Sequence, residues 1–270
     1  MRTSGRTQFY ISGAALKNIA YISMFIDHFF AIIVLNYLWL TAVDGDWDPG
    51  LTIVYRAGRA VGRAAFILFA HQIVEGFLHT RSRGRFLLRL GLFAIISEIP
   101  FDLAFSGQII DWKSQNIFFT LLIGVLVMCA WEGLARYQGA AFAVARWAAL
   151  AAGCAAAYWG STDYRYMGVL LIFVFYKAHD RGLSEKIMLA GCVMLFGTWS
   201  ANCLRYLEDG YTVLELLRIS LREMYGLAAF ILLAFYKGEK GRQLPKWVCY
   251  GFYPVHLLFL YGAAKYIGVM

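Results

Sequence analysis

Nine apolar runs, separated by short polar connections, dominate the pattern of hydrophobic and polar positions along this chain. A helix needs about 20 apolar residues to cross the hydrocarbon core of a bilayer, and most of the runs come close to that length. They predict helices at residues 14–36, 55–78, 86–105, 115–135, 142–159, 164–179, 184–201, 217–236 and 246–267. The pattern therefore predicts an all-α fold, a polytopic integral membrane helix bundle with about nine transmembrane helices.

The composition supports this class. Of the 270 residues, 60% are hydrophobic and only 16% are Asp, Glu, Lys or Arg, against about a quarter in soluble domains. This excludes intrinsic disorder and argues against a water-soluble protein. No Pro- or Ser-rich linker divides the chain, so residues 1–270 are predicted to form a single transmembrane domain. The two nearest of the five cysteines, Cys192 and Cys203, lie 11 positions apart, so no metal site is predicted.

The distribution of cations predicts an orientation. If the N-terminus is cytoplasmic, 16 of the 25 Lys and Arg residues fall on the cytoplasmic side and six on the opposite side. The positive-inside rule then predicts an N-in, C-out protein of the cell membrane. The net charge of +8 follows from this topology. Because its cations are spread over several helix ends, the charge does not indicate nucleic-acid binding.

Ionisable side chains inside the predicted helices are candidates for a functional site, because charge is costly in a bilayer. The alternative is mutual pairing that only fixes helix register. His28 lies about 21 Å along its helix from the cytoplasmic end. Counted in the same way, Arg63, Glu98 and His256 reach similar depths in a hydrocarbon core about 30 Å thick. Four helices thus deliver ionisable groups to one level, which predicts a polar site near the membrane centre.

Lys17 precedes His28 by 11 residues, so the two share one helix face about 16 Å apart. A long ligand with phosphates at one end and a reactive group at the other fits this spacing, and coenzyme A has that form. The alternative is that Lys17 only anchors the helix at the interface. Arg81, Arg83 and Arg85 form the densest cationic patch, interpreted as a phosphate site or as ordinary positive-inside topology.

A second polar group is predicted towards the outer side. Glu98 and Asp102 are spaced i,i+4 around Pro100, and Asn116 follows at the next predicted helix. A proline within a membrane helix frees a backbone carbonyl and allows a polar cavity. These residues are interpreted as an acceptor pocket or, alternatively, as a kinked helix end with its acids near the headgroups.

Short motifs along nearly the whole chain resemble the TraX family. They are, in order, residues 15–20 (ALKNIA), 24–28 (MFIDH), 62–66 (GRAAF), 74–77 (VEGF), 79–80 (HT), 97–102 (SEIPFD), 115–120 (QNIFFT), 163–164 (DY), 168–169 (GV) and 252–257 (FYPVHL). TraX proteins are named for N-terminal acetylation of pilin, and they look related to the acyltransferase 3 group. That group has a basic residue, ten positions and then a histidine in its first helix, as do Lys17 and His28. The sequence departs from the family pattern at Ile67 and His71.

The resemblance implies transfer of an acetyl group from cytoplasmic acetyl-CoA to an amine or hydroxyl acceptor, directly or through an acetyl-histidine. The acceptor is a pilin N-terminus, a peptide, a glycan or a small molecule. In this hypothesis His28 is the general base, oriented by Asp27, Glu98 or another carboxylate, although Asp27 has an alternative partner in Arg63. The other assigned positions are Lys17, Arg81, Arg83 and Arg85 for the CoA phosphates, Arg63, Asn116 or Tyr253 for the oxyanion, and Asp102, Asn116, Tyr253 and His256 for substrate binding.

Two other classes of protein account for part of the pattern. A proton-coupled transporter also places acids and histidines at the membrane centre. However, the sequence shows no internal repeat and no matched pair of broken helices. A non-enzymatic assembly factor for a surface appendage explains the topology. It assigns no role to the ionisable side chains near the membrane centre.

Overall fold

The structure, a computed structural model, describes residues 10–207 and 209–270. Nine helical segments follow one another in these ranges, and each overlaps one predicted helix. They are α1 (Gly13–Leu40), α2 (Pro49–His79), α3 (Arg83–Ser106), α4 (Ile117–Ala135), α5 (Ala140–Trp159), α6 (Arg165–Lys177), α7 (Leu183–Tyr206), α8 (Val213–Ser220, Leu221–Ala228 and Ala229–Ala234) and α9 (Lys246–Tyr266). The all-α prediction is therefore confirmed for the described residues.

Several helices begin before the apolar run that predicted them, because polar capping residues lie outside that run. The Asp48 side chain caps α2, which begins at Pro49 rather than near residue 55. A capping box between Thr212 and Glu215 starts α8. The Ser82 hydroxyl caps α3, so Arg83 and Arg85 belong to a helix and not to the predicted basic loop.

Three segments depart from regular α-helix. Phe30–Val34 forms a π-helical turn directly after the His28 turn of α1. The middle of α8, Leu221–Ala228, is a 3₁₀-helix. A single turn residue, Arg63, interrupts α2, whereas α3 continues through Pro100. Local departures of these kinds often accompany functional sites in helical proteins.

The helices pack around one main apolar core. Its fully buried side chains include Leu16 of α1, Ile67 and Phe77 of α2, Met128 of α4 and Phe175 of α6. α1 contacts α2 and α9, α3 contacts α4 and α9, and α6 contacts α2, α4 and α7. α5 lies at the edge, where it packs on α4 and α6 with few buried side chains. This arrangement brings α1, α2, α3, α4 and α9 around a common space.

Five segments are long and apolar enough to cross a membrane: Gly13–Leu40, Pro49–His79, Ile117–Ala135, Ala140–Trp159 and Leu183–Leu204. The chain is accordingly a membrane protein. It stays a prediction that all nine segments cross the bilayer. The cytoplasmic location of the N-terminus also stays a prediction. Arg2 and Arg6, two of the cations on which the orientation depends, lie outside the described residues.

Candidate active site

A cavity of about 670 Å³ lies between α1, α2, α3, α4 and α9. Lysines and an arginine line one end, which we name the basic mouth: Lys17, Arg89, Lys240 and Lys246. The other end, the histidine end, is lined by Asp27, His28, Arg59, Arg63 and Asp163. Lys17 and His28 both lie on the α-helical part of α1, so about 16 Å of helix axis separates the two ends. A volume of this size is typical of a small-molecule or cofactor site.

His28 contacts a second histidine. Its Nδ1 lies 2.7 Å from Nε2 of His256, and Nδ1 of His256 lies 2.9 Å from the backbone oxygen of Phe252. A carbonyl oxygen only accepts, so Nδ1 of His256 carries a proton and, in the neutral ring, Nε2 carries the lone pair. Nδ1 of His28 must then be the donor between the two rings. This leaves the lone pair of His28 on Nε2, the nitrogen that a general base needs.

Aromatic rings fix the position of the His28 ring. Phe105 and Tyr253 present their edges to it, with ring centroids at 5.5 and 5.9 Å. His28 lines the cavity, whereas His256 is 4% exposed and is not among the described lining residues. His256 therefore lies behind His28. This position does not support its predicted role in substrate binding. Its Nε2 binds His28, and its Nδ1 binds the backbone oxygen of Phe252.

Two ion pairs surround the histidine end. Arg59 donates to Asp27 at 2.6 Å, and Arg63 lies 2.9 Å from Glu223 on α8. The alternative pairing of Asp27 with Arg63 is thus wrong. Asp27 also does not orient His28, since its bonded carboxylate oxygen binds Arg59 and its other oxygen is buried with no hydrogen-bond partner among the described residues. The orienting group of His28 is His256 instead of a carboxylate.

The predicted acceptor residues Glu98, Asp102 and Asn116 lie together but outside the cavity lining. The Asn116 side-chain amide donates to Glu98 and to the backbone oxygen of Ala94, and its oxygen caps α4 at Phe118. Asp102 accepts from the backbone N–H of Asp111 at 2.8 Å. These bonds connect the end of α3 to the start of α4. Both N–H groups of the Asn116 amide are used, so it has no donor left for an oxyanion.

Tyr253 is different, because its ring lines the cavity and its hydroxyl is buried with no hydrogen-bond partner among the described residues. The side chain is 3% exposed. A buried hydroxyl without a partner is costly unless a ligand or water satisfies it. Of the three residues predicted to bind an oxyanion, Arg63 and Tyr253 line the cavity. Arg63 is paired with Glu223, whereas the Tyr253 hydroxyl is a donor without a partner among the described residues.

The arginine patch lies outside the described lining of the cavity. Arg83 forms an ion pair with Glu132 and packs over the ring of Phe77, 4.6 Å from its centroid. Arg81 and Arg85 are exposed. Of the four cations predicted to hold phosphates, the structure places only Lys17 at the basic mouth. Lys240 and Lys246 also lie at that mouth. The sequence predicts for them only a place among the 16 cytoplasmic cations.

The loop between α5 and α6 lines the histidine end through Asp163 and Tyr164. Tyr164 and Arg165 both adopt left-handed backbone conformations, at φ 58° and 44°. Such strain persists only where the surroundings hold it, and here Tyr164 stacks on Phe66 with centroids 3.9 Å apart. The adjacent Asp163 faces the cavity. Burial raises its pKa to about 6, and Arg63 acts in the opposite direction.

These features define a polytopic membrane protein whose helices enclose a cavity with a basic mouth and a buried histidine pair. The chain belongs to the TraX family, whose model, described as TraX protein, matches residues 12–264. It is also similar to a probable fimbrial assembly protein FimC, serogroup H1, from Dichelobacter nodosus. The two are 26% identical over 264 residues, which cover 95% of this chain and 97% of that protein. No solved structure matches the chain significantly.

Proposed function

We propose that this protein is an integral-membrane acetyltransferase of the cell membrane that uses cytoplasmic acetyl-CoA. In this proposal all nine helices cross the bilayer, and the basic mouth faces the cytoplasm. The observation that carries the proposal is the cavity that connects unpaired cations to a histidine whose free nitrogen is suited to accept a proton. The chain belongs to the TraX family, and acetyl transfer is the activity that the resemblance to this family implies.

The donor is a substrate with anionic groups at one end and a thioester at the other. Its phosphates bind at the basic mouth, and its pantetheine arm extends along α1 towards His28. Lys17 and His28 are separated by about 16 Å along the axis of α1, and the arm extends over this distance. The largely aromatic middle of the cavity, which includes Tyr21, Phe69 and Phe118, suits an uncharged chain.

His28 acts as the general base. The nitrogen or oxygen of the acceptor attacks the thioester carbonyl, and Nε2 of His28 takes the proton that the acceptor loses. The tetrahedral intermediate collapses with cleavage of the C–S bond, and the departing sulfur receives that proton to give the CoA thiol. General-base help of this kind is worth about 10²–10⁴-fold in rate.

Tyr253 and His256 assist this step in different ways. The Tyr253 hydroxyl donates to the oxyanion of the tetrahedral intermediate, which satisfies its buried group. His256 is a positioning residue. By accepting from Nδ1 of His28 it fixes the tautomer that leaves Nε2 free, and it stabilises the ring once it is protonated.

The acceptor is an amine or hydroxyl on a pilin N-terminus, a peptide, a glycan or a small molecule. The fimbrial assembly name of the relative from Dichelobacter nodosus favours a subunit of a surface fibre. The acceptor reaches the histidine end from the side of Ser114 and Asp163, which line the cavity beyond His28.

The test is to incubate labelled acetyl-CoA with membranes that contain the protein and to identify the molecule that takes the label. His28→Ala is expected to lower transfer by about 10²–10⁴-fold. His71→Ala is the matched control, because it removes another buried histidine that does not line the cavity. Full transfer by His28→Ala would contradict the mechanism. Accumulation of a solute in vesicles without any transfer of label would favour the transporter instead.

A further inference from the structure

We infer that the segment 238–246, here named the basic strap, is the phosphate-binding element for the nucleotide end of the donor. Lys240 and Lys246 are its phosphate ligands, together with Lys17 and Arg89. The inference rests on the proposed function, since it names the residues that hold the donor which that function requires. It replaces the predicted arginine patch as the phosphate site.

The first observation is the pairing of the cations. Lys17, Arg89, Lys240 and Lys246 line the same end of the cavity, and none of them forms a salt bridge with a carboxylate of the described residues. Arg89 also has a buried Nε without a hydrogen-bond partner there. By contrast, Arg83 is already neutralised by Glu132. Free cations in a concave site are what a multiply charged phosphate ligand requires.

The second observation is that cations outnumber carboxylates at this end, where the acids are Glu75 of the lining and the exposed Glu239 of the strap. Glu75 is the acid of the described lining on that side, and both of its oxygens are engaged. One lies 2.9 Å from Nε2 of His179, and the other accepts from the Tyr236 hydroxyl at 3.3 Å. Four cations against these two acids leave the mouth with a net positive charge.

The third observation is how the backbone positions the strap. Gly13 and Ala14 at the start of α1 donate to the backbone oxygens of Glu239 and Lys240, at 2.7 and 2.9 Å. Gly241 has φ +65° and lies directly against Ser12, where a Cβ would collide. Lys17 donates to the side chain of Gln243 at 3.0 Å. These contacts hold the strap lysines beside Lys17, at the end of α1 from which the donor must reach His28.

The strap also accounts for discrimination between donors. Because these lysines contact phosphates, they are expected to strengthen the binding of coenzyme A. They are not expected to affect the binding of pantetheine, which has no phosphate. Because the lysines are exposed, the attraction is screened by salt, and affinity is expected to fall as ionic strength rises.

The experiment measures binding of coenzyme A and pantetheine to the purified full chain in detergent, at low and high salt. Lys240→Gln with Lys246→Gln is expected to weaken CoA binding by about tenfold for each lysine, to reduce its salt dependence, and to leave pantetheine binding unchanged. Lys240→Arg with Lys246→Arg is expected to retain binding. Arg242→Gln is the matched control, because this exposed cation of the strap does not line the cavity.

A backbone variant tests the strap independently of its charge. Gly241→Ala is expected to displace the strap from Ser12 and to weaken CoA binding with all four cations still present. Gly251→Ala, in α9 with open space around its Cβ position, is its control.

The outcomes separate the two proposals. If the wild-type protein and the Lys240→Gln, Lys246→Gln variant bind coenzyme A equally well, the strap assignment is overturned. The proposal that coenzyme A is the donor is then retained. Loss of binding in Arg81→Gln with Arg85→Gln, but not in the lysine variant, would return the site to the arginine patch. If the wild-type protein binds no coenzyme A, the proposed function fails and the strap assignment fails with it.

Discussion

The two ends of the cavity differ in whether their cationic side chains have carboxylate partners. At the histidine end each arginine already has a carboxylate partner, Arg59 with Asp27 and Arg63 with Glu223. At the basic mouth the four cations have no such partner among the described residues. The paired side chains are 14–23% exposed, whereas Lys240 and Lys246 are exposed and Lys17 is half-buried.

This difference separates charge that builds the scaffold from charge that binds a ligand. A desolvated ion needs a permanent partner, because an uncompensated charge away from water costs several kcal/mol. An exposed lysine is solvated without one and can exchange water for phosphate. Substitutions at the two ends are therefore expected to change different properties, stability at one end and ligand affinity at the other.

The largest effect on stability is expected from breaking the pair at the histidine end. Arg59→Met would leave the Asp27 carboxylate buried without a partner, and we expect the free energy of unfolding to fall by about 3 kcal/mol. Thermal unfolding in detergent measures this. Arg59→Met with Asp27→Asn removes both charges and is expected to recover much of the loss. A double variant as unstable as the single one would show that packing, not charge, is responsible.

A smaller effect is expected where α2 packs against α1. Gly62 lies against the Asp27 side chain, and an added Cβ would overlap it. Gly62→Ala is expected to cost about 1–3 kcal/mol in unfolding free energy, which is usual for overpacking. Gly133→Ala is the control, because its Cβ position is open and alanine favours a helix. Equal melting temperatures for the two variants would contradict the close approach of α1 and α2.

The smallest effect on stability is expected at the basic mouth. Lys240→Gln with Lys246→Gln removes two exposed, unpaired charges, so the free energy of unfolding is expected to change by less than about 0.5 kcal/mol for each. The same thermal unfolding assay without ligand measures this. A large loss of stability would mean that these lysines support the scaffold, and the contrast between the two ends would disappear.

The helices could be predicted from the sequence because a membrane helix requires a long apolar run. Their first turns could not, because Asp48, Ser82 and the Thr212–Glu215 box are polar and extend helices beyond the runs. Depth along the helix placed His28 and Arg63 at one level, and both line the cavity. Depth carries no information on how neighbouring helices are rotated, so the partner of each group was predicted incorrectly or left open.

The basic mouth shows a different limit of sequence reasoning. A dense patch such as Arg81, Arg83 and Arg85 is conspicuous in sequence, but helix α3 turns Arg83 towards Glu132. Lys240 and Lys246 are ordinary loop and helix-end lysines until the strap folds onto the start of α1. The available signal was the pair Gly238 and Gly241, whose positive φ angles allow that return.

The π-helical turn at Phe30–Val34 predicts where α1 tolerates insertions and deletions. A π turn contains one residue more than an α turn, and this one begins just after His28. Removing one residue within it would restore regular α-helix and leave Leu35–Leu40 in nearly the same orientation, because a π turn and an α turn each complete one full rotation. Lys17 and His28 would keep a common face. Removing one residue between Lys17 and His28 would move them about 100° apart. Relatives of different length are thus expected to vary after His28 and to keep the spacing before it.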